Sequence, residues 1–471
     1  MKIDMSMTID VEKYRPFLNR IFSEEKLTGF LCVMILGFPI LELICVPLYL
    51  PFFLQEFFLE FCGFYLLVFC LFKALISKEH RLCLSDLLLI ASVLFAVLSI
   101  VTSLNIDQSL HGQPNYSETP LQTLGYFMAF FACSQVEKSI NKKKLLYAFS
   151  GMFLLEMIVG TLQKLGFWKW EDIWEKCTAS YGLTENSNFY AALCVLAVAL
   201  FMCIYVLDNF CKRTKRHSVC TYILSVWAFS CALFSVARLA WIGMAGAVGL
   251  MFCLHILLKK KTGLRAVNLK KACILLVCFL IVFLLFSFFD PVLSEQHRKL
   301  WNDILTFIGF AQGESDSTAL NKLGSKRGYI WRVCIKAWLQ RPLLGIGFDN
   351  LRYAFSMFND PQMGGFTQGK AHNEYLHYLT TQGLFSCLNY LFLCGYVMKK
   401  GVEGVVGKFK TGLRTGEHET WIIQFALVVM VFGYFCQAFF SSSVTNIAVY
   451  KWIIMGLLMT RSEQKNLLRT S

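Results

Sequence analysis

The sequence predicts an all-α fold: a polytopic transmembrane helix bundle of about twelve spans, with a large extracytoplasmic loop containing amphipathic helices. Three observations lead there. The 471-residue chain is 56% hydrophobic and 15% aromatic with 16% charged residues, more apolar surface than a water-soluble core of that size could hide. Apolar stretches of about twenty residues recur, the length that crosses a bilayer as a helix. Lys and Arg gather in short runs between those stretches, so the net charge of +14 reads as membrane topology and not as a nucleic-acid surface.

In order, the stretches fall at roughly 28–50, 57–77, 84–104, 121–137, 145–165, 187–210, 219–236, 239–258, 272–290, 375–398, 420–441 and 444–460. Basic runs occupy alternate connections: Lys142-Lys143-Lys144, Lys212 to Arg216, Lys259 to Lys261 with Lys270-Lys271, and Lys399-Lys400 through Arg414. The connection 105–120 has neither Lys nor Arg. The positive-inside rule then puts both termini in the cytoplasm, and an even number of spans agrees. The first stretch is too long for a removed signal peptide and lacks its small-residue cleavage site. The chain thus divides into nine spans over 1–290, an extracytoplasmic loop over 291–371, and three spans with a cytoplasmic tail over 372–471. Its cysteines lie mostly within spans (Cys32, Cys62, Cys194, Cys231, Cys278, Cys394), where a thiol is a small hydrophobe. Cys177 and Cys334 fall in outer segments, but Cys334 sits on the apolar side of a helical pattern, which argues against a disulfide. No zinc-type spacing occurs.

The loop 291–371 holds ten Lys and Arg against six Asp and Glu. Within it, Ser325 can cap a helix from Lys326 to Gln340 with Trp331, Cys334, Ile335 and Trp338 on one face and Arg332, Lys336 and Gln340 on the other. Such a helix is expected to lie along the membrane surface. Arg341-Pro342 ends it, and Gly345-Ile346-Gly347-Phe348 makes a turn.

Three constellations can carry chemistry. The forty residues 219–258 would make about 60 Å of helix, so they must fold into a hairpin whose tip is Ser235–Arg238. Arg238 either snorkels to headgroups or, with no carboxylate near it in sequence, is held for an anion such as a diphosphate. Arg327 and Arg332 open the amphipathic helix, where an anion is favoured; the alternative is a solvated face over anionic lipid. His372 with Asn373 and Tyr375 sits where the polar loop re-enters an apolar span. An imidazole there can exchange protons with a substrate from the lipid phase, or it can simply bond to headgroups. His377 falls on another helix face and reads as structural. Lys451 lies mid-span at an insertion cost of about 2.5–3.5 kcal/mol, so it should face inward, towards Glu42, Glu156 or substrate.

In their order these residues resemble the O-antigen ligase and oligosaccharide-repeat polymerase superfamily of bacterial membrane glycosyltransferases. That family shows a His, then Asn, Ser or Gln, nine residues and a Gly; here stand His372, Asn373 and Gly383, with Ser386 at the position that often closes the ligase motif. An Arg opening a Trp-containing helix, then a Pro and a Gly-x-Gly turn, matches Arg327, Trp331, Pro342, Gly345 and Gly347. The Ser-Arg hairpin tip matches Arg238, with Ala237 in place of Ser, and Gly182 to Ala191, including Asn188, is similar to an earlier segment. The likeness covers roughly 180–390.

The resemblance implies a polyprenyl diphosphate-linked glycan donor at the outer leaflet, a glycan or lipid acceptor, membrane lipid around the chain, and inverting transfer with neither cofactor nor metal. No Asp-x-Asp pair occurs in the outer loops. Arg238 and Arg327 would neutralise the departing diphosphate, and His372 would take the acceptor proton. Asn373, Tyr375, Arg332 and Asn188 would support them, and Tyr329, Trp331 and Trp338 would guide the prenyl chain. The small positive excess of the loop favours a repeat-unit polymerase over a ligase that admits an anionic lipid core. A secondary transporter shares the span count, but the long outer loop and absence of repeat symmetry fit it poorly. A scaffold without catalysis would leave polar residues converging on one mouth unexplained.

Overall fold

In hydrocarbon a backbone amide finds no water, so a long apolar run must satisfy its own hydrogen bonds as a helix. The computed structural model of the chain describes residues 11–45, 53–76, 83–112, 118–167, 179–210, 214–311, 321, 323–358 and 365–460, and no strand occurs among them. Its helices are α1 (Val11–Ile21), α2 (Glu24–Cys45), α3 (Phe53–Ile76), α4 (Leu84–Val101), α5 (Ile106–His111), α6 (Pro120–Cys133), α7 (Ser139–Lys164), α8 (Ser187–Val206), α9 (Lys215–Phe234), α10 (Arg238–Thr262) and α11 (Leu269–Phe289). After them come α12 (Pro291–Ala311), α13 (Leu323–Gln340), α14 (Leu351–Met357), α15 (Glu374–Thr415), α16 (Glu419–Ala438) and α17 (Thr445–Leu458).

Among the described residues nine helices are long and apolar enough to cross a membrane: the stretch Pro16–Ile44 containing α2, then α3, α4, α7, α8, α9, α10, α11 and α16. This is a polytopic helical membrane protein. The other three expected spans are helical too, but α6 and α17 have 14 residues each and α15 has 42. Burial ranks the spans. The best apolar window of α8 is 94% buried and that of α16 89%, against 17% for α11. A helix that is apolar all round belongs at the centre, and α8 and α16 pack against each other there.

The segment between α11 and α15 is a folded cap with its own small core, built by Tyr329, Ile330, Val333, Cys334, Ile346, Leu351 and Phe355. Here the structure corrects the sequence reading. Gly324, Ser325 and Lys326 all have left-handed φ (59°, 62° and 73°), so Ser325 is not the helix cap and the regular helix starts at Arg327. Its buried face is Tyr329, Ile330, Val333, Cys334 and Ala337, while Ile335 is exposed. Helix α13 packs against α12, α14 and α15. Tyr329 is 1% exposed and is therefore no lipid guide. Cys334 is a buried free thiol; Cys177 lies outside the described residues.

One break in α15 joins this cap to the bundle. Gly383 adopts φ 81° and ψ −177°, which interrupts the helical ladder. The freed carbonyls of Thr380 and Thr381 accept the amides of Ile346 (3.0 Å) and Gly347 (2.8 Å), and the Leu384 amide donates to Pro342 O (2.9 Å). A Cβ at Gly383 would lie 2.2 Å from Leu343 O, and one at Gly345 2.4 Å from Thr381 O. Glycine is required on both sides of this contact.

Lys451 provides the second tie. Its partner is neither Glu42 nor Glu156, as the sequence suggested, but Glu374 at the start of α15. Both are buried, at 0% and 1% exposure. Glu374 also accepts the hydroxyls of Tyr390 (2.6 Å) and Tyr434 (3.1 Å). The ammonium lies 5.1–5.3 Å from the ring centres of Tyr390, Tyr434 and Trp452. Removing one partner strands the other charge, so Lys451→Met should cost about 3–5 kcal/mol. A thermal scan of detergent-solubilised protein should show that loss, with most of it recovered in Lys451→Met/Glu374→Gln, where no charge remains to be paired.

Candidate active site

The tip between α9 and α10 is three residues long. Ser235 Oγ donates to Ala232 O (2.6 Å) and accepts from the Ala237 amide (3.3 Å), while the Val236 amide donates to Leu233 O (2.9 Å). Val236 is held at φ 56°, a left-handed conformation that is strained for a β-branched residue. From the side, Ser180 N donates to Phe234 O (2.8 Å); the Gly182–Ala191 segment thus begins against this tip. Arg238 follows as the first residue of α10, and its Nη1 meets Asp303 Oδ2 of α12 at 2.7 Å. Arg238 has no carboxylate near it in sequence. Asp303 is 65 residues away in the chain, and only the fold of α12 brings it there.

Arg327 opens the regular part of α13 and is half-buried. Burial pushes its guanidinium down to about 10; the charge of Arg238 adds to that and Asp303 opposes it. Two guanidiniums and one carboxylate therefore share a small volume and sense one another.

His372 arrives from a third direction. Its backbone has φ 49°, and the residues around it are pinned one by one. Lys370 Nζ reaches Glu118 Oε2 (2.9 Å) and Asp349 Oδ1 (3.5 Å). Burial pushes its ammonium down, but those two carboxylates outweigh it and the net shift is upward. Trp331 Nε1 donates to Ala371 O (3.1 Å), tying the loop to α13. The Asn373 side chain accepts the Leu376 amide (3.0 Å) and caps α15, and Glu374 is fixed by Lys451. Burial first, and then the charge of Arg327, push the His372 imidazole down to about 4. The structure thus gathers Arg238, Arg327 and His372, each at or beside a helix N-terminus, where backbone amides add positive potential.

The remaining candidates have other surroundings. Tyr375 donates to Phe435 O (2.8 Å) and packs on Phe439, which makes it a joint between α15 and α16. Arg332 lies over the Tyr329 ring at 5.5 Å. Asn188 sits in the first turn of α8, its amide bonded to Asn186 Oδ1 (2.9 Å). His377 is buried with Nε2 3.6 Å from Glu118. Sequence reasoning missed Asp303, Lys370, Glu118 and Asp349. Their only local signal was an acid inside an apolar stretch (Asp303) and a lone Lys two residues before His372. Among the described residues no three His, Cys, Asp or Glu side chains gather as a metal site.

Two guanidiniums and an imidazole thus come within electrostatic reach of one another in a multi-span helical protein, an arrangement that can receive an anion beside a proton acceptor. Residues 223–391, from the middle of α9 into α15, match the family described as O-antigen ligase. The match takes in Arg238, Arg327 and His372, so this stretch of the chain is similar to that family. Comparison with curated proteins finds no match.

A pKa near 4 keeps His372 neutral, and so able to accept a proton, throughout the ordinary range. The pH profile of kcat/KM, which reports the free enzyme, should therefore stay flat on its acid side and fall only as pH approaches about 4. An acid limb centred on 6.5, the ordinary histidine value, would mean that burial and Arg327 do not act on His372.

Proposed function

We propose that the protein transfers a glycan from a polyprenyl diphosphate carrier to an acceptor hydroxyl at the outer face of the cytoplasmic membrane, acting as a repeat-unit polymerase with both termini in the cytoplasm. The observation that carries this reading is the approach of Arg238, at the first residue of a span, to Arg327 and of Arg327 to His372. Arg238 and Arg327 hold the diphosphate. His372 takes the acceptor proton as the oxygen attacks the anomeric carbon from the face opposite the diphosphate. The diphosphate departs with the bonding electron pair, and the guanidiniums balance its charge. The configuration inverts. A bound diphosphate would also offset the field of Arg327 on His372, so the imidazole becomes a stronger base once the donor is in place. In the donor-loaded enzyme the base lies closer to its optimal range.

Two apolar grooves support the lipid-linked reading. One, of about 260 Å³, lies between α9, α10 and α11 and is lined by Leu233, Trp241, Phe279 and Phe283. Trp241 stands three residues after Arg238, so a prenyl chain could run down this groove from a diphosphate at the tip. The second, of about 290 Å³, is lined by Val93, Leu110, Pro120 and Phe127. It lies under the segment that is laced to the Gly347 turn through Asn105 and Asn350. A polymerase needs two such grooves because donor and acceptor both carry prenyl chains, whereas a ligase acceptor does not. The match of residues 223–391 to the O-antigen ligase family supports an enzyme over a transporter.

The assay is a purified enzyme given one lipid-linked repeat unit and no other acceptor. A ladder of longer glycans is expected; a single transfer that begins only when a lipid core or protein is added makes the enzyme a ligase. In the same assay His372→Ala should lower turnover by about 10²–10⁴-fold, the usual contribution of a general base, while expression stays near normal. Arg238→Lys should be nearly as impaired as Arg238→Ala, since an ammonium cannot bridge two phosphate oxygens as a fork does. Wild-type rates in both arginine variants would place the diphosphate elsewhere.

A further inference from the structure

The anion site is not free: Arg238, one half of the diphosphate clamp, is already engaged by Asp303 at 2.7 Å. Arg327 senses the same carboxylate, so a single acid balances both guanidiniums. We propose that Asp303 is a resident counter-anion that holds the two arginines together before the donor arrives, and that the diphosphate must displace it to bind. This inference rests on the diphosphate reading of Arg238 and Arg327 given above.

Electrostatics require some such group. Two guanidiniums within reach of each other repel, and partial burial makes the repulsion larger than in water. Asp303 removes most of that cost in the empty enzyme. The same carboxylate then competes with phosphate oxygens for the Nη1 position of Arg238, because a carboxylate and a phosphate cannot both occupy one donor and also repel each other.

The helix that carries Asp303 is built to yield. Its first half is anchored: Leu293 is 1% exposed, and the His297 ring packs 5.0 Å from both Trp241 and Phe283. Its second half turns Trp301, Ile304, Leu305 and Ile308 outward, all at least 40% exposed. The spacing is that of one helical stripe, suited to the lipid interface. Asp303 sits in that half and links it to the bundle through Arg238. Donor binding would break this link and leave the apolar stripe free to shift in the membrane interface.

The test uses inorganic pyrophosphate and the full-length protein in detergent, with binding measured by calorimetry at low salt. Asp303→Asn should bind pyrophosphate about tenfold more tightly than wild type, a difference of about 1.4 kcal/mol, and Asp303→Glu, which keeps the charge, should bind like wild type. Asp303→Ala carries the same expectation as Asp303→Asn, should the amide variant not fold. Weaker or unchanged binding in the neutral variants would overturn the inference, since Asp303 would then be orienting the Arg238 fork for its ligand. If pyrophosphate binds neither wild type nor the neutral variants, the diphosphate clamp fails together with the inference drawn from it.

Discussion

A buried ammonium with no partner costs several kcal/mol in a bilayer, and Lys451 meets that constraint by reaching Glu374. The consequence extends beyond stability. Glu374 is the first residue of α15 and stands two residues after His372. Fixing its carboxylate to the last helix, with Tyr390 and Tyr434 completing the shell, fixes where the imidazole emerges. On the other side of His372, Lys370 is held by Glu118 and Asp349. The left-handed backbone at His372 is thus clamped at both shoulders, and a strained conformation persists only where its surroundings determine it so strongly.

The cap over the bundle depends on a different kind of constraint, the geometry of close backbones. The break at Gly383 exposes two carbonyls, and the Gly345–Gly347 turn supplies two amides for them. Neither partner could carry a side chain at the contact. Through this joint the position of α13, and with it Arg327, is set relative to α15 and His372. Trp331 adds the direct link by bonding to Ala371 O. The distance in sequence between the Arg helix and the His loop is therefore closed by a glycine joint and one indole hydrogen bond.

Electrically the site is a concentration of positive charge in a partly dry place. Two guanidiniums and helix N-termini face one acid, Asp303, while burial and the charge of Arg327 push the His372 imidazole down. Asp303 offsets much of the mutual repulsion of the two guanidiniums. The field of Arg327 disfavours a charged imidazole at His372.

The sequence by itself determined the class of fold, because the bilayer allows an apolar run few structures other than a helix. It also singled out three candidate residues, since an Arg at a hairpin tip, an Arg at a helix start and a His at a span boundary stand out against apolar surroundings. It could not determine which surfaces meet. The buried face of α13 differs from the expected one by about one residue, because the neighbouring helices and not the helix's own pattern select it. Asp303 and Lys451 found their partners only in three dimensions, across 65 and 77 residues, since charge pairing depends on distance in space and a helical pattern records only the neighbours three or four residues away. The tertiary structure alone decided that Arg238 is occupied, that Tyr375 is a packing joint, and that Arg327 and His372 share one field.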